Sequence, residues 1–204
     1  MKNILIADGH YVVRTGIAMV LESKLQYSCK IDFAGTFLET KQKVSDHLYD
    51  LLIIDIDIPD SIFKAMVKEL RKNQKNLKIL VFAVYDDNVG IQYIGEGAAG
   101  YLNKGASESE ILSAVAGILE EGYYHTPAMM KKMITQSTES RSVERLSNRE
   151  FQIFKLLAEG NGNIEISNSL NLKMSTISTY KKKIFEKLQV KSVVDLVRIY
   201  DDIH

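Results

Sequence analysis

The sequence predicts an α/β domain built on a five-stranded parallel sheet, followed by a smaller all-α domain. Apolar runs of strand length alternate with amphipathic segments of helix length over residues 1–121. Such alternation is typical of a doubly wound parallel sheet with helices on both faces. The alternation stops after Gly122, and from residue 145 onward the apolar residues recur at helical spacing.

Each element of the first domain follows from a local pattern. The run Leu51-Leu-Ile-Ile54 is continuously apolar, which is typical of a central parallel strand buried on both faces. The predicted strands are Asn3–Ala7, Lys30–Ala34, Leu51–Asp55, Ile79–Ala83 and Gly100–Leu102, and the predicted helices span residues 11–24, 36–48, 61–73, 87–96 and 107–121.

The region between the two domains has a different composition. Pro127 is suited to opening a short helix that runs through Met133. The residues from Gln136 to Ser142 are small and polar, which predicts a flexible linker. We therefore expect a first domain over residues 1–121, a linker with a short helix over 122–144 and a second domain over 145–204.

Composition excludes several classes of protein. The 204 residues are 46% hydrophobic, but no apolar stretch approaches the roughly 18 residues that a membrane span needs. The amino terminus enters a strand pattern directly and lacks the cleavage region of a signal peptide. The single cysteine, Cys29, excludes an internal disulfide and a cysteine-rich zinc site, and its apolar surroundings predict a place in the core. These features predict a cytoplasmic protein without membrane partners.

Charge is distributed unevenly, although the net charge is zero. Residues 1–140 hold 15 basic and 18 acidic residues, whereas residues 141–204 hold 11 and 8. Six lysines and one acid, Glu186, lie between Lys173 and Lys191. A local cationic segment of this kind is typical of a small DNA-reading module. Because the charge is modest, we expect binding to need a dimer.

The second domain has the pattern of a helix-turn-helix. Ser147 and Glu150 form a capping box at the start of a first helix, and Gly160 is suited to ending it. A short helix from Ile164 to Leu170 and a tight turn then lead to a third helix. Its apolar stripe consists of Ile177, Tyr180, Ile184 and Leu188. A last helix over Val193, Leu196, Val197 and Ile199 would close the domain.

The opposite face of the third helix carries short hydroxyls and long cations. Hydroxyls bond base edges or phosphates, and lysines neutralise phosphates or donate to guanine. The alternative is an ordinary solvated face on a bundle helix. The candidate DNA-binding residues are Ser175, Thr176, Ser178, Thr179, Lys182 and Lys183.

The motifs of this domain resemble a known family. They are Leu146-Ser-Asn-Arg-Glu150, Leu156-Leu-Ala-Glu-Gly160, Ser175-Thr-Ile-Ser-Thr-Tyr-Lys181 and Lys187-Leu-Gln-Val-Lys191. Together they are similar to the LuxR-type output domain of NarL/FixJ response regulators. The resemblance implies a transcription regulator that binds double-stranded DNA as a homodimer. Candidate dimer residues on the last helix are Val193, Leu196, Val197 and Tyr200, whose alternative role is to complete the core.

The strand ends of the first domain bring together Asp8, Asp55, Ala83 and Lys104. Two carboxylates and a lysine at one sheet edge indicate a Mg²⁺ or phosphoryl site, with a chance grouping of loop charges as the alternative. The motifs Ile4-Leu-Ile-Ala-Asp8, Asp50-Leu-Leu-Ile-Ile-Asp55 and Gly97-Ala-Ala-Gly-Tyr-Leu-Asn-Lys104, together with Pro59, resemble a two-component receiver domain, which has a flavodoxin-like fold.

The receiver resemblance implies a role for several residues. Asp55 would be the phosphoacceptor, Lys104 the lysine that pairs with phosphate and Tyr101 the switch aromatic. Asp8, Asp55 and the Asp57 carbonyl would hold Mg²⁺. A histidine kinase or another protein regulator would be the partner of this domain.

Two departures from the receiver pattern weaken this expectation. Gly9 replaces the second acid after the first strand, which removes a direct metal ligand. Ala83 replaces a Ser or Thr whose hydroxyl would bond the phosphoryl group and signal its presence to Tyr101. Metal and hydroxyl both supply the electrostatic help on which phosphoryl transfer depends. We therefore expect weak Mg²⁺ binding, no required cofactor and weak or absent phosphorylation-driven switching.

Several alternatives stay open at this stage. Asp57 and Asp60 can compensate for Gly9 by side-chain ligation, in which case Asp55 is still phosphorylated. Other inputs are the expression level, a protein partner or a ligand. His10 is either a pH-sensitive pocket residue or a partly exposed helix-start histidine, and the latter fits better. The methionines Met129, Met130 and Met133 are expected to pack rather than bind a cofactor.

Two rival functions come from other classes. Asp55 and Asp57 resemble the Asp-x-Asp motif of haloacid-dehalogenase-type phosphatases, which also need a later acidic pair such as Asp86 and Asp87. The motif's position after two αβ units and before a helix-turn-helix argues against that enzyme. A protein-interaction module with a degenerate helix-turn-helix is the other rival. We expect the chain not to be an enzyme.

Overall fold

The computed structural model describes residues 1–25, 28–62, 65–135 and 142–201. The chain forms two compact units, Met1–Met133 and Ile134–His204. The first is an α/β unit with a five-stranded parallel sheet and the second is all-helical, which confirms the predicted fold class.

All neighbouring strands of the sheet run parallel in the order β2-β1-β3-β4-β5. Ile4 and Leu51 in the two central strands are fully buried because helices cover both faces of the sheet. The strands are β1 (Lys2–Ala7), β2 (Cys29–Ala34), β3 (Leu51–Ile54), β4 (Lys78–Ala83) and β5 (Gly100–Asn103).

Helices α1 and α5 pack together on one face, where Ile17, Leu21, Val115 and Ile118 contact the sheet, and α2 and α3 pack against each other. Cys29 is half-buried against this core rather than wholly inside it. The helices are α1 (Tyr11–Lys24), α2 (Phe37–Asp46), α3 (Ala65–Asn73), α4 (Asp87–Gly95), α5 (Glu108–Glu120) and α6 (Pro127–Thr135).

Capping explains where several elements begin, and some predicted ends need correction. Thr36 caps α2 by accepting a hydrogen bond from the Glu39 amide, so that helix begins one residue later than predicted. Helix α3 begins at Ala65 instead of residue 61. Strand β3 ends at Ile54, which leaves Asp55 just beyond the sheet. Of the predicted flexible linker, residues 136–141 lie outside the described residues.

The segment after α5 returns to the sheet. The Tyr124 amide donates a hydrogen bond of 2.9 Å to the Ala99 carbonyl, and Tyr124 forms a parallel bridge with Gly100 at the outer edge of β5. Helix α6 follows, with Met129 buried, whereas Met130 and Met133 are exposed. Lys132 of α6 lies 3.4 Å from an Asp87 carboxylate oxygen of α4. Residues 122–133 therefore pack with the α/β unit.

The helical unit has its own core. The Ser147–Glu150 capping box forms as predicted, and Gly160 has φ +88° at the end of the first helix. Ile177 and Ile184 are fully buried, but Ile164 is 60% exposed. The unit consists of a 3-10 turn (Ser142–Arg145) that was not predicted, followed by α7 (Asn148–Ala158), α8 (Asn163–Ser169), α9 (Met174–Leu188) and α10 (Val193–Asp201).

One candidate dimer residue is part of that core. Leu196 is fully buried in the helical unit, so of its two predicted roles it has the one in the core and does not offer a dimer surface. Its position toward α7 follows from the packing of α10 on that helix. Val193, Val197 and Tyr200 are half-buried, and their role in a dimer stays a prediction.

Candidate functional site

Three charged side chains meet at the carboxyl ends of the sheet strands. Asp8 follows β1, Asp55 follows β3 and Lys104 follows β5, as parallel strands require. The Lys104 ammonium lies 2.6 Å from Asp8 Oδ2 and 2.9 Å from Asp55 Oδ2. Both carboxylates are almost wholly buried, with exposed side-chain fractions of 3% and 4%. One ammonium thus bridges two carboxylates, which leaves a net negative pocket.

Burial sets the protonation preferences in this pocket. Burial raises the pKa of Asp55 above its usual value, and the opposing effect of Lys104 offsets only part of that rise. For Lys104, burial alone would lower the pKa, but the hydrogen bonds to Asp55 and Asp8 outweigh it and raise the pKa. Lys104 therefore stays charged and occupied with the two carboxylates.

The two departures from the receiver pattern lie at the same edge. Gly9 presents no side chain, and a Cβ there would meet the Pro59 ring at 3.0 Å. Ala83 is fully buried, and its carbonyl accepts a hydrogen bond of 2.8 Å from the Lys104 amide. Neither position offers a side-chain oxygen to a metal or to a phosphoryl group.

Asp57 and Asp60, the two acids that follow Asp55, lie in different surroundings. Asp57 Oδ1 accepts a hydrogen bond of 3.1 Å from the Tyr85 hydroxyl, and the Asp57 amide donates to Asp55 Oδ1 at 3.1 Å. Asp60 is an exposed residue with φ +65°. No sequence pattern predicts the contact of Asp57 with Tyr85, because the two residues come from different loops.

The predicted switch aromatic is enclosed by the protein. Tyr101 is 1% exposed, and its hydroxyl donates to the carbonyl oxygen of Tyr85. Asn103 Nδ2 donates to the same carbonyl at 2.7 Å. Gly90 of α4 makes room for the ring, because a Cβ there would lie 2.3 Å from Tyr101 Cγ. A glycine within a helical pattern is the signal that would have predicted this close packing.

His10 lies at the mouth of the pocket. It precedes α1 as its N-cap residue, and its side chain is 77% exposed, which agrees with the preferred prediction of a helix-start histidine. Its amide donates to Asp8 Oδ1 at 2.7 Å, and its Nδ1 lies 3.1 Å from the same oxygen. Asp8, His10 and Asp55 each offer a ligand atom, and these three atoms lie within 4.8 Å of one another.

Asp86 and Asp87, the acidic pair that the phosphatase alternative would need, make other contacts. Asp86 caps α4 by accepting hydrogen bonds from the amides of Asn88 and Val89. Asp87 pairs with Lys132, as described above. Neither carboxylate joins Asp55 and Asp57 in the arrangement that such an enzyme would need.

The hydroxyl and lysine face of α9 is a second candidate site. Five of the six predicted DNA-binding residues are exposed, and Thr176 is half-buried. A groove of about 360 Å³ runs along this face and is lined by Ser175, Thr176, Thr179, Tyr180 and Lys183. Lys182 lies 3.9 Å from Glu186 one turn later, an exposed pair that contributes little to stability.

A part-buried ion pair joins α9 to α7. Glu150 Oε2 lies 2.6 Å from Lys187 Nζ, and the Glu150 side chain is 5% exposed. Burial alone would raise the pKa of Glu150, but Lys187 and Ser147 outweigh it and hold the pKa below its usual value. Arg149 adds a hydrogen bond of 3.1 Å to the Leu170 carbonyl just before α9. The sequence predicted Glu150 as a capping residue but missed its pairing with Lys187.

Comparison with known proteins identifies both domains. Residues 4–116 match the family described as response regulator receiver domain. Residues 144–200 match the family of bacterial regulatory proteins of the luxR type. In the described parts of the chain, no helix combines the length and apolar character that crossing a bilayer demands.

Full-length relatives share this organisation. The chain is 31% identical over 205 residues to the oxygen regulatory protein NreC of Staphylococcus carnosus, with 95% of this chain and 94% of the relative covered. It is 27% identical over 204 residues to the response regulator UvrY of Escherichia coli K12, with 98% and 93% covered.

Solved structures of Salmonella RcsB have the same fold. One structure of the Salmonella typhimurium response regulator superposes with a TM-score of 0.76 at 24% identity and covers 98% of this chain and 97% of that chain. Another, bound to promoter rprA in the presence of phosphomimetic BeF3-, has a TM-score of 0.73 at 22% identity, with 97% and 96% covered. The chain therefore belongs to the response regulators of the NarL/FixJ type, in which a receiver domain precedes a luxR-family regulatory domain.

Proposed function

We propose that this protein is a dimeric, DNA-binding transcription regulator in which phosphorylation-driven switching is weak or absent. The observation that carries the DNA-binding part is the exposed face of α9. The observation that carries the second part is the pair Gly9 and Ala83 in the pocket.

The α9 face has the chemistry of a major-groove reader. Small hydroxyl side chains in its first half allow close approach to base edges. Lys182 and Lys183 follow in the second half, where ammonium groups neutralise phosphates. The apolar stripe on the opposite side anchors the helix, with Ile177 and Ile184 fully buried. The RcsB structures bound to promoter DNA support the same use of this fold.

A dimer follows from the modest charge of the module. One small domain with few phosphate contacts binds DNA weakly, whereas two copies on half-sites about 34–36 Å apart combine their contacts. RcsB has been solved as two dimers bound to two parallel DNAs, which supports a dimeric arrangement in this family. Double-stranded DNA and a second copy of the chain are therefore the partners we propose.

The pocket supports weak phosphorylation for an electrostatic reason. A phosphoryl group on Asp55 would lie beside the buried Asp8 carboxylate, with Lys104 as the bridging cation. Mg²⁺ prefers an oxygen-only, near-octahedral set of ligands. Gly9 has no side-chain oxygen to serve as a metal ligand, and the Asp57 carboxylate is hydrogen-bonded to the Tyr85 hydroxyl. This donor set does not fit Mg²⁺ well.

The position of Tyr101 supports a regulator whose switch residue does not depend on phosphorylation of Asp55. Its ring is already buried, and its hydroxyl bonds to the Tyr85 carbonyl. A methyl group at Ala83 can neither donate nor accept a bond to a phosphoryl oxygen. The ring is therefore held by protein groups, and the switch has lost its connection to Asp55.

A phosphorylation assay tests the second part of the proposal. The full-length protein is incubated with Mg²⁺ and a small phosphodonor, and intact mass and DNA affinity are then measured. We expect little mass gain and an unchanged affinity. Stoichiometric phosphorylation with a large gain in affinity would contradict the proposal.

A DNA pull-down with sequencing of the bound fragments tests the first part. We expect enrichment of sites composed of two related half-sites. The matched control is the Lys182→Ala/Lys183→Ala variant, which retains the fold but loses two cations of the α9 face. Equal recovery of DNA by both proteins would remove this face from the interface, and no recovery by either would favour the protein-interaction module.

A further inference from the structure

Hydrogen bonds on both sides of Tyr85 join the Asp57 loop to the ring of Tyr101. The Tyr85 hydroxyl donates to Asp57 Oδ1 at 3.1 Å. The backbone carbonyl of Tyr85 accepts a hydrogen bond from the Tyr101 hydroxyl and another, of 2.7 Å, from Asn103 Nδ2. Tyr85 therefore contacts Asp57 through its side chain and Tyr101 through its backbone. We refer to Asp57, Tyr85 and Tyr101 as the tyrosine relay.

The middle of the tyrosine relay is shielded from water. Tyr85 and Tyr101 are almost wholly buried, whereas Asp57 is half-buried. Tyr93 of α4 is also buried, and burial together with the nearby Asp57 carboxylate raises the pKa of its hydroxyl. In such surroundings a hydrogen bond to a carboxylate is stronger than in water and costly to leave unmade. The Tyr85 hydroxyl and the Asp57 carboxylate therefore hold each other in place.

The position of Tyr85 in the chain connects its ring to α4. Tyr85 directly precedes Asp86, which is the N-cap residue of that helix. Gly90 lies one turn into α4, against the Tyr101 ring, with no room for a Cβ between them. Tyr101 is thus held by the Tyr85 carbonyl and by the helix that Tyr85 precedes. A displacement of the Tyr85 ring moves both supports, because the ring and the carbonyl belong to one residue.

The tyrosine relay does not involve Ala83, whose methyl group makes no hydrogen bond. We propose that Tyr85 is a positioning residue that couples the Asp57 carboxylate to Tyr101. The ring is held while Asp57 accepts the Tyr85 hydroxyl, and it is released when the carboxylate turns to another donor. This device responds to the side chain of Asp57 and not to a phosphoryl group on Asp55, so it goes beyond the proposed function.

Fluorine NMR of the full-length protein labelled with fluorotyrosine tests the coupling. The Tyr101 signal is identified by its loss in Tyr101→Phe. We expect Asp57→Ala, which removes the acceptor, to shift the Tyr101 signal by more than its linewidth. Tyr85→Phe should shift it as well. Adding Asp57→Ala to Tyr85→Phe should cause no further shift, because the bond between the two side chains is already absent.

Two conservative variants separate the hydrogen bond from the charge. Asp57→Asn keeps an acceptor oxygen, so the Tyr101 signal should stay close to its position in the parent. Asp60→Asn removes a charge from an exposed position in the same loop and should leave the signal unmoved. Circular dichroism checks that each variant is folded.

Two results would overturn the proposal. One is an unmoved Tyr101 signal in folded Asp57→Ala or in folded Tyr85→Phe. The other is an equal displacement by Asp57→Asn and Asp57→Ala, which would assign the effect to charge alone. The spectra require neither DNA nor a phosphodonor, so their failure leaves the proposed function untouched.

Discussion

The receiver pocket and the α9 face differ in how their charged groups are arranged. In the pocket, Lys104 and two carboxylates satisfy one another in a buried triad. On α9, Lys182 and Lys183 are exposed and point to solvent. A buried triad whose charges are already paired disfavours the binding of another charged group. An exposed cationic face can bind an anion such as a DNA phosphate. This difference agrees with the proposed function, in which α9 binds DNA while phosphorylation of the receiver pocket is weak.

Restoring the two missing receiver side chains should produce the largest effect, which we expect in the rate of phosphorylation. Gly9→Asp with Ala83→Thr returns a metal ligand and a phosphoryl-bonding hydroxyl, and we expect Mg²⁺-dependent phosphorylation to become about 100-fold faster. The rate of mass gain with a small phosphodonor measures this. The same double variant with Asp55→Asn is the control and should gain no mass. An unchanged rate would mean that the input end is limited by something other than these two residues.

Filling the space beside Tyr101 should be the next largest effect. Gly90→Ala places a Cβ 2.3 Å from the ring, so we expect a loss of about 2 kcal/mol in the free energy of unfolding, measured with urea. Gly16→Ala is the matched control, because a Cβ there meets nothing within 4 Å and should stabilise α1 by about 0.5–1 kcal/mol. Equal stability of the two variants would show that Tyr101 is loosely held.

Removing one cation from α9 should have a smaller effect. Lys182→Ala should weaken DNA binding by about tenfold and flatten the salt dependence by up to about one unit if the lysine contacts a phosphate. Fluorescence anisotropy at several salt concentrations measures both quantities. Lys75→Ala, an exposed lysine of the receiver, is the control. An unchanged slope would place Lys182 outside the interface.

The smallest expected effect concerns the ion pair behind α9. The pKa of Glu150 is lowered in the folded protein, so its ionised form stabilises the fold above the unfolded value of about 4.3 and this contribution is lost as pH falls below it. Glu150→Gln should cost about 1 kcal/mol at pH 7 and less in acid. Urea unfolding across pH measures the difference, with exposed Glu186→Gln as control. A difference independent of pH would contradict this role.

The sequence predicted the local features of the fold better than the contacts between elements. All five strands were predicted because each has a short apolar or alternating pattern, and the Ser147–Glu150 box was predicted because it depends on residues three apart. The contacts of Tyr101 with Gly90 and Tyr85 join separate elements. The glycine within the helical pattern of α4 indicates a close contact there, but it does not identify the ring that packs against it. Packing between helices also decides between the two roles predicted for Leu196, which lies in the core.

The candidate site was predicted in its parts but not in its arrangement. Asp8, Asp55 and Lys104 could be expected to meet because parallel strands end at one edge. The orientation of His10 toward Asp8 and the bond between Asp57 and Tyr85 depend on side-chain conformations in loops. Such conformations arise from the assembled pocket, so they become visible only in the folded structure.

The bridge between Tyr124 and Gly100 has a consequence for exchanging modules between proteins of this kind. Strand β5 is the last strand of its sheet, and open strand edges recruit other chains and promote aggregation. Tyr124 covers part of that edge, and the buried Met129 of α6 follows it. A chimaera joined directly after residue 121 would leave the edge of β5 uncovered and self-associate, whereas one joined after Thr135, where α6 ends, would stay dispersed. The suitable junction for exchanging domains therefore lies after α6.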